Sequence, residues 1–234
     1  IYNTSRLDQL QDRLHTLQGF GKPKVEIVFA ARWLMDACRL SGPVEMSPID
    51  LQRFAPAECE CDNGSNRRFT IGRLSRDHSK KHHPNDIGIY HHLVSEGGTV
   101  KIMGGRCLAS ELDNVPEVTL LPAGAQEPDV FLKGLDCFFY RTSDKYFEPS
   151  GRVVSEAMAC GLPVVCHRRG GYSEYIEDRV DGFLFDTDAE AVEILLTLKA
   201  DPALRKCVGQ AARKKLEASL APAVRDEFLR FYTR

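Results

Sequence analysis

The chain has 234 residues, 43% of them hydrophobic, and a formal charge of −2. That is enough apolar material for a sizeable core, and the charge excludes a globally basic nucleic-acid binder. No apolar run reaches the roughly 20 residues that cross a bilayer, and no charged start followed by an apolar stretch resembles a secretion signal, so the expected location is cytoplasmic.

In chain order, residues 7–17 read as a helix, 25–30 as a strand, 33–40 as a short helix and 44–46 as a strand. These lead into Ile49-Asp50-x-x-x-Phe54-x-Pro56, and the polar, acidic stretch 58–66 reads as a linker. From Arg68 onward, short β-like runs alternate with helical ones. Strands are expected at 69–72, 100–103, 118–121, 137–140, 163–166 and 182–185, with helices at 85–95, 108–113, 127–132, 151–159 and 172–177. Six strands joined by crossovers make an α/β, Rossmann-like parallel sheet with helices on both faces. From residue 189 the chain reads as helices, restarted by Pro202 and Pro222. Residues 1–57 are too few for a second complete lobe, whereas 58–234 suffice for one domain.

The eight cysteines lie mostly in apolar stretches and are expected to be reduced and mostly buried; Cys59-x-Cys61 lacks the spacing of a zinc knuckle. His78, His82 and His83 stand without an acidic or cysteine partner at ligand spacing, so no metal site is expected.

Residues 146–165 carry the most chemistry. Pro149, Ser150 and Gly151 are turn and cap residues, and 153–160 are mostly helix-compatible, so a helix starts near Gly151 and stops at Gly161. Free amides of Gly151, Arg152, Val153 and Val154 then face any anion lying over the helix start. Glu148, in the preceding loop, can accept from sugar hydroxyls, and Glu156, inside the helix, from a ribose. The end of the first expected strand of the sheet supplies positive charge: 67–81 hold six Lys or Arg against one Asp. Arg73 can grip phosphate with its planar fork, and Lys80 or Lys81 can add a point charge, with Lys81 favoured because it precedes His82-His83-Pro84.

Glu148 and Glu156, eight residues apart, together with Phe147-Glu148-Pro149, Gly151-Arg152-Val153, the run 156–165 and Gly170-Gly171-Tyr172-Ser173-Glu174, resemble the consecutive blocks of the group 1, GT-B-fold retaining glycosyltransferases. The resemblance implies that 58–234 form the C-terminal, donor-binding lobe, and that 1–57 are the tail of an N-terminal, acceptor-binding lobe plus the linker. It implies transfer of a sugar from a nucleoside-diphosphate sugar to an acceptor hydroxyl with retention at the anomeric carbon. Glu148 is then the catalytic-site carboxylate that positions the sugar. Arg73 and Lys81, helped by the amides of 151–154, hold the diphosphate, Glu156 holds the ribose, and Gly104, Leu121, Pro122 and Ala123 border the base. A helix start with basic side chains can stabilise a departing diphosphate without a metal or other cofactor. The implied partners are a nucleotide sugar and a glycan or lipid-linked acceptor presented by the N-terminal lobe, with polysaccharide biosynthesis as the setting, peripheral membrane association of the intact enzyme, and no nucleic acid. Two rival readings are a catalytically incompetent nucleotide-sugar binding module and a GT-B sugar-nucleotide epimerase.

Overall fold

The computed structural model describes residues 7–21, 26–57, 67–222, 224 and 226. The linker expected at 58–66 and most of the helix expected from Pro222 lie outside them.

Six parallel strands form one sheet: β1 (Thr70–Leu74), β2 (Thr99–Met103), β3 (Val118–Leu121), β4 (Cys137–Tyr140), β5 (Val164–His167) and β6 (Phe183–Phe185), in the order β3-β2-β1-β4-β5-β6. The strands agree with the sequence reading to within two residues. They form here because short β-branched and aromatic runs are closed off by Gly, Pro and Asp. The order reverses direction between β1 and β4, and in open α/β sheets ligands bind in the crevice outside the carboxyl ends of the strands at that switch point.

The pleat sorts alternate residues to opposite faces. Phe138 and Tyr140 of β4 pack with α5 (Pro128–Lys133), α6 (Arg152–Ala159) and α8 (Pro202–Ser219), whereas Cys137 and Phe139 pack with α3 (Asp86–Ser95) and α7 (Asp188–Ala200). Both faces of the sheet are therefore covered, which is why its strands read as continuous apolar runs. Thr187 and Glu190 form a reciprocal capping box that starts α7, and Asp201 caps α8 with Pro202 behind it. α4 (Ala109–Leu112) is a single short turn, and the helix expected at 172–177 is a 3-10 turn, Gly171–Tyr175.

The N-terminal segment contains α1 (Leu7–Gly19) and α2 (Arg32–Cys38). Of the strands expected at 25–30 and 44–46, a single parallel bridge between Phe29 and Val44 appears among the described residues. The crossing from this segment to the sheet is fixed in place. Ile49 and Phe54 enter the core beside α6 and α8, and Arg213 of α8 donates to the carbonyls of Leu51, Phe54 and Ala159 at 3.1, 2.9 and 2.7 Å.

Candidate functional site

The loops after β1 and β4 and the start of α6 enclose a cavity of about 200 Å³ lined by Ser75, Arg76, Lys81, Tyr140, Glu148, Ser150, Gly151, Arg152 and Val153. It opens toward a second basin of about 340 Å³ that shares Arg76 and Lys81 and adds Asp77, His78, Lys80 and Tyr146. Both lie at the switch point of the sheet.

Glu148 is at the centre. One of its carboxylate oxygens accepts from Lys81 Nζ at 2.6 Å and from the Tyr140 hydroxyl at 2.8 Å. Burial raises the Tyr140 hydroxyl well above its ordinary pKa, so it is a donor at neutral pH. The Lys81 ammonium also lies 4.3 Å from the centre of the Tyr146 ring, so an aromatic face and a carboxylate fix it together. The loop that carries Glu148 is tied to the loop that carries Lys81, because Ser143 N–H donates to the Lys80 carbonyl at 3.2 Å.

Gly151 joins this loop to α6 with φ +66°, and a Cβ there would lie 2.5 Å from the Tyr172 ring. Only glycine meets both demands, and the turn it makes aims the first amides of α6 at the cavity. The Val154 amide is an exception: it donates back to the Gly151 carbonyl at 2.8 Å, and its side chain is fully buried. Of the four amides expected to face an anion, that of Val154 is therefore taken. Glu156, one turn further, accepts from Arg152 Nε at 3.1 Å; burial raises its pKa against the pull of Arg152.

Arg73 differs from the sequence expectation. Its side chain is 1% exposed and does not line the cavity. The guanidinium donates to the carbonyls of Arg141 and Lys81, lies 3.6 Å from Asp86 and stacks over Tyr140 at 4.7 Å. The reason is its place in the strand: Leu74 ends β1, so Arg73 is still paired to β2 and its side chain is directed under the loops rather than beyond them. The cation that reaches the cavity from β1 is Arg76, exposed and, among the described residues, without a carboxylate partner. Sequence reasoning also missed Tyr140, whose signal was a hydroxyl closing the apolar run Cys137-Phe138-Phe139-Tyr140.

His82 supports the same floor. Its ring nitrogen meets the Gly104 carbonyl at 2.9 Å, and burial, with the Arg73 charge behind it, lowers its pKa to about 3, so the ring is neutral. Gly104 has φ +83°, and a Cβ would strike the Ser75 carbonyl at 2.0 Å, so glycine lets the loops after β1 and β2 touch. Gly104 N–H donates to the Leu121 carbonyl at 2.8 Å. Leu121 packs against the same core cluster as Val153, while Pro122 and Ala123 are exposed. These four residues continue along the sheet edge next to the cavity but are not part of its lining.

Residues 100–215 match the family profile described as glycosyl transferases group 1. The chain belongs to that family. Over 81 residues it is 41% identical to a D-inositol 3-phosphate glycosyltransferase of Arthrobacter, a match covering 32% of this chain and 19% of that protein. Over 108 residues it is 31% identical to the human alpha-1,3/1,6-mannosyltransferase ALG2, covering 44% and 24%. The fold superposes with a TM-score of 0.72 on Anabaena Alr3699/HepE in complex with UDP and glucose, at 18% identity, covering 89% of this chain and 62% of that one. The matched stretch thus spans about a fifth of the curated relatives, and the chain about three fifths of the solved structure. The architecture of this chain is that of a GT-B lobe built on a Rossmann-like sheet.

Proposed function

We propose that this chain supplies the donor lobe of a retaining glycosyltransferase, residues 58–234 holding a nucleoside-diphosphate sugar and residues 1–57 being the tail of the acceptor lobe with the linker. The observation that carries this reading is the Glu148–Lys81–Tyr140 cluster set against the start of α6 at the switch point. An ammonium, helix amides and a carboxylate border one cavity, which suits a ligand with an anionic part and a hydroxylated part.

In this reading the diphosphate lies against Lys81, Arg76 and the amides of Gly151, Arg152 and Val153. Arg73 acts from below, by holding the Lys81 carbonyl. Glu148 accepts from hydroxyls of the sugar, and Lys81, shared between Glu148 and the phosphate, keeps the two parts in register. Glu156 accepts from the ribose hydroxyls, and the base lies over Gly104, Leu121, Pro122 and Ala123. As the bond from the anomeric carbon to the phosphate oxygen breaks, negative charge grows on the diphosphate. Preorganised amides and cations stabilise that charge without reorganising, so transfer proceeds without a divalent ion. The UDP in the structural neighbour supports a uridine nucleotide as the first donor to try. The setting we propose is a cytoplasmic enzyme of glycan assembly acting on a glycan or lipid-linked acceptor.

Calorimetric titration with UDP, GDP and ADP, each with a chelator present, tests the reading. One nucleotide is expected to bind saturably, and Lys81→Ala and Glu156→Ala are each expected to weaken it. Failure of all three to bind at millimolar concentration would remove the reading.

A further inference from the structure

Trp33 is the only tryptophan in the chain, and it is half-buried on α2, more than a hundred residues before Glu148. Its indole N–H donates to the Pro149 carbonyl at 3.0 Å. Its ring lies against Phe147, with centroids 4.2 Å apart and planes tilted by 54°. The two residues that flank Glu148 in sequence are thus held by one side chain. Glu148's own carbonyl accepts from the Gly171 amide at 2.9 Å.

The same 3-10 turn fixes α2. Its N-cap residue, Ala31, has no side-chain oxygen to offer. Glu174 supplies one from a distance: its two carboxylate oxygens accept from the amides of Arg32 and Trp33 at 2.6 and 2.7 Å. A carboxylate on two free amides at the positive end of a helix is a charge-assisted cap. The turn Gly171–Tyr175 therefore grips both the backbone of Glu148 and the start of the helix whose tryptophan covers the Glu148 loop, closing a ring of contacts around residues 147–149. The peptide groups at the start of α6 are held without Trp33: the Tyr175 hydroxyl reaches the carbonyls of Ser150 and Gly151 at 3.1 and 3.2 Å.

We propose that Trp33 is a positioning residue for Glu148: the N-terminal segment sets the place of the sugar-holding carboxylate through the indole's contacts with Phe147 and Pro149. The inference rests on the reading of Glu148 as the group that meets the donor sugar. A tryptophan suits this task because one rigid side chain gives both an apolar face for Phe147 and a donor for a buried carbonyl. Loss of the indole frees the backbone on either side of Glu148 while leaving the phosphate-facing amides in place. The sugar-dependent part of donor binding should suffer and the nucleotide part should not.

The test compares UDP with UDP-glucose by calorimetry, with GDP and GDP-mannose or ADP and ADP-glucose as the matched pairs should uridine not bind. For Trp33→Ala, affinity for the nucleotide is expected within about twofold of wild type, while the ratio of nucleotide-sugar to nucleotide affinity falls by about fivefold or more. Trp33→Phe keeps the ring and loses the N–H, and should recover part of that ratio. In the wild-type chain all tryptophan fluorescence comes from Trp33, so its emission should change more with the nucleotide sugar than with the nucleotide. An unchanged ratio in Trp33→Ala, or equal loss for both ligands, would overturn the inference and leave the donor-lobe reading standing. Failure of every pair to bind wild type would remove both.

Discussion

Arg73 and Arg141, only 1% and 3% exposed, lie under the carboxyl edge of the sheet with Asp86 between them, whereas Arg76 and Lys81 border the cavity above. All four are cations within or next to the strands that meet at the switch point. The lower pair donates to carbonyls and carboxylates, including Asp188 and the carbonyl of Lys81 itself, and its remaining donors, Arg73 Nε and Arg141 Nη2, are buried away from any ligand. The upper pair has capacity to spare. A basic residue in a recognisable motif is therefore a ligand group or a part of the floor according to where its strand ends, and one floor residue can set the position of a ligand group by holding its backbone.

This contrast is open to direct attack. Arg73→Ala removes one partner of a buried charge network, and unfolding in urea is expected to show a loss of about 3–5 kcal/mol. Arg73→Lys should recover little, because an ammonium cannot reach two carbonyls at once as the planar fork does. Arg76→Ala, by comparison, should change stability by no more than about 0.5 kcal/mol and appear only in ligand binding. A large loss from Arg76→Ala with none from Arg73→Ala would reverse the assignment of floor and ligand group.

Glu148→Gln comes next in size. It removes the carboxylate on which Lys81 and Tyr140 converge, and in the chain joined to a complete acceptor lobe, release of UDP from UDP-glucose in the presence of an acceptor is expected to slow about 100-fold, equivalent to ~2.7 kcal/mol. Lys81→Ala should weaken UDP about tenfold, or ~1.4 kcal/mol, while Lys80→Ala should change it less than about twofold, both read by calorimetry.

The smallest effect is one of pH. Burial raises the pKa of Glu156 above the usual 4.5, so its carboxylate takes up a proton at a higher pH than an exposed glutamate does. Ribose hydroxyls donate to the ionised form. Nucleotide affinity should therefore fall as pH drops through this raised pKa, and Glu156→Gln, already neutral, should flatten that limb. For stability the sign is opposite: the cost of burying the charge is relieved on protonation, so the contribution of Glu156 is fully present below its unfolded pKa and is lost as pH rises through the folded one. A wild-type affinity profile flat between pH 4 and pH 7 would exclude Glu156 from the ribose.

The sheet was legible in the sequence because its strands are short apolar runs bounded by Gly, Pro and Asp, and that punctuation acts locally. The places of Glu148 and Lys81 at the cavity were legible for the same reason, each lying in a short loop after a strand, whereas Glu156, one turn into α6, stays outside the cavity lining. What was not legible depends on contacts across the fold. Arg73 goes under the loops because β1 runs on to Leu74 and because Asp86 and the carbonyl of Arg141 receive it. Arg76 reached the cavity by the same shift. Trp33 reads as ordinary packing until Pro149 and Phe147 are brought to it, and Glu174 belonged to a recognised block but carried no role until α2 arrived without a cap of its own. The expected strands at 25–30 and 44–46 reduce to one bridge among the described residues, because a pair of short runs without further neighbours has little to pair with.

Arg213 gives the crossing segment a mechanical meaning. By joining the carbonyls of Leu51 and Phe54 to that of Ala159, it fastens the incoming chain to the carboxyl end of α6, the end away from Gly151. A helix of eight residues is about 12 Å long and stiff over that length. A torque that the upstream chain exerts on the segment before Ile49 thus enters α6 at one end and is delivered, as by a short lever, to the amides at the other.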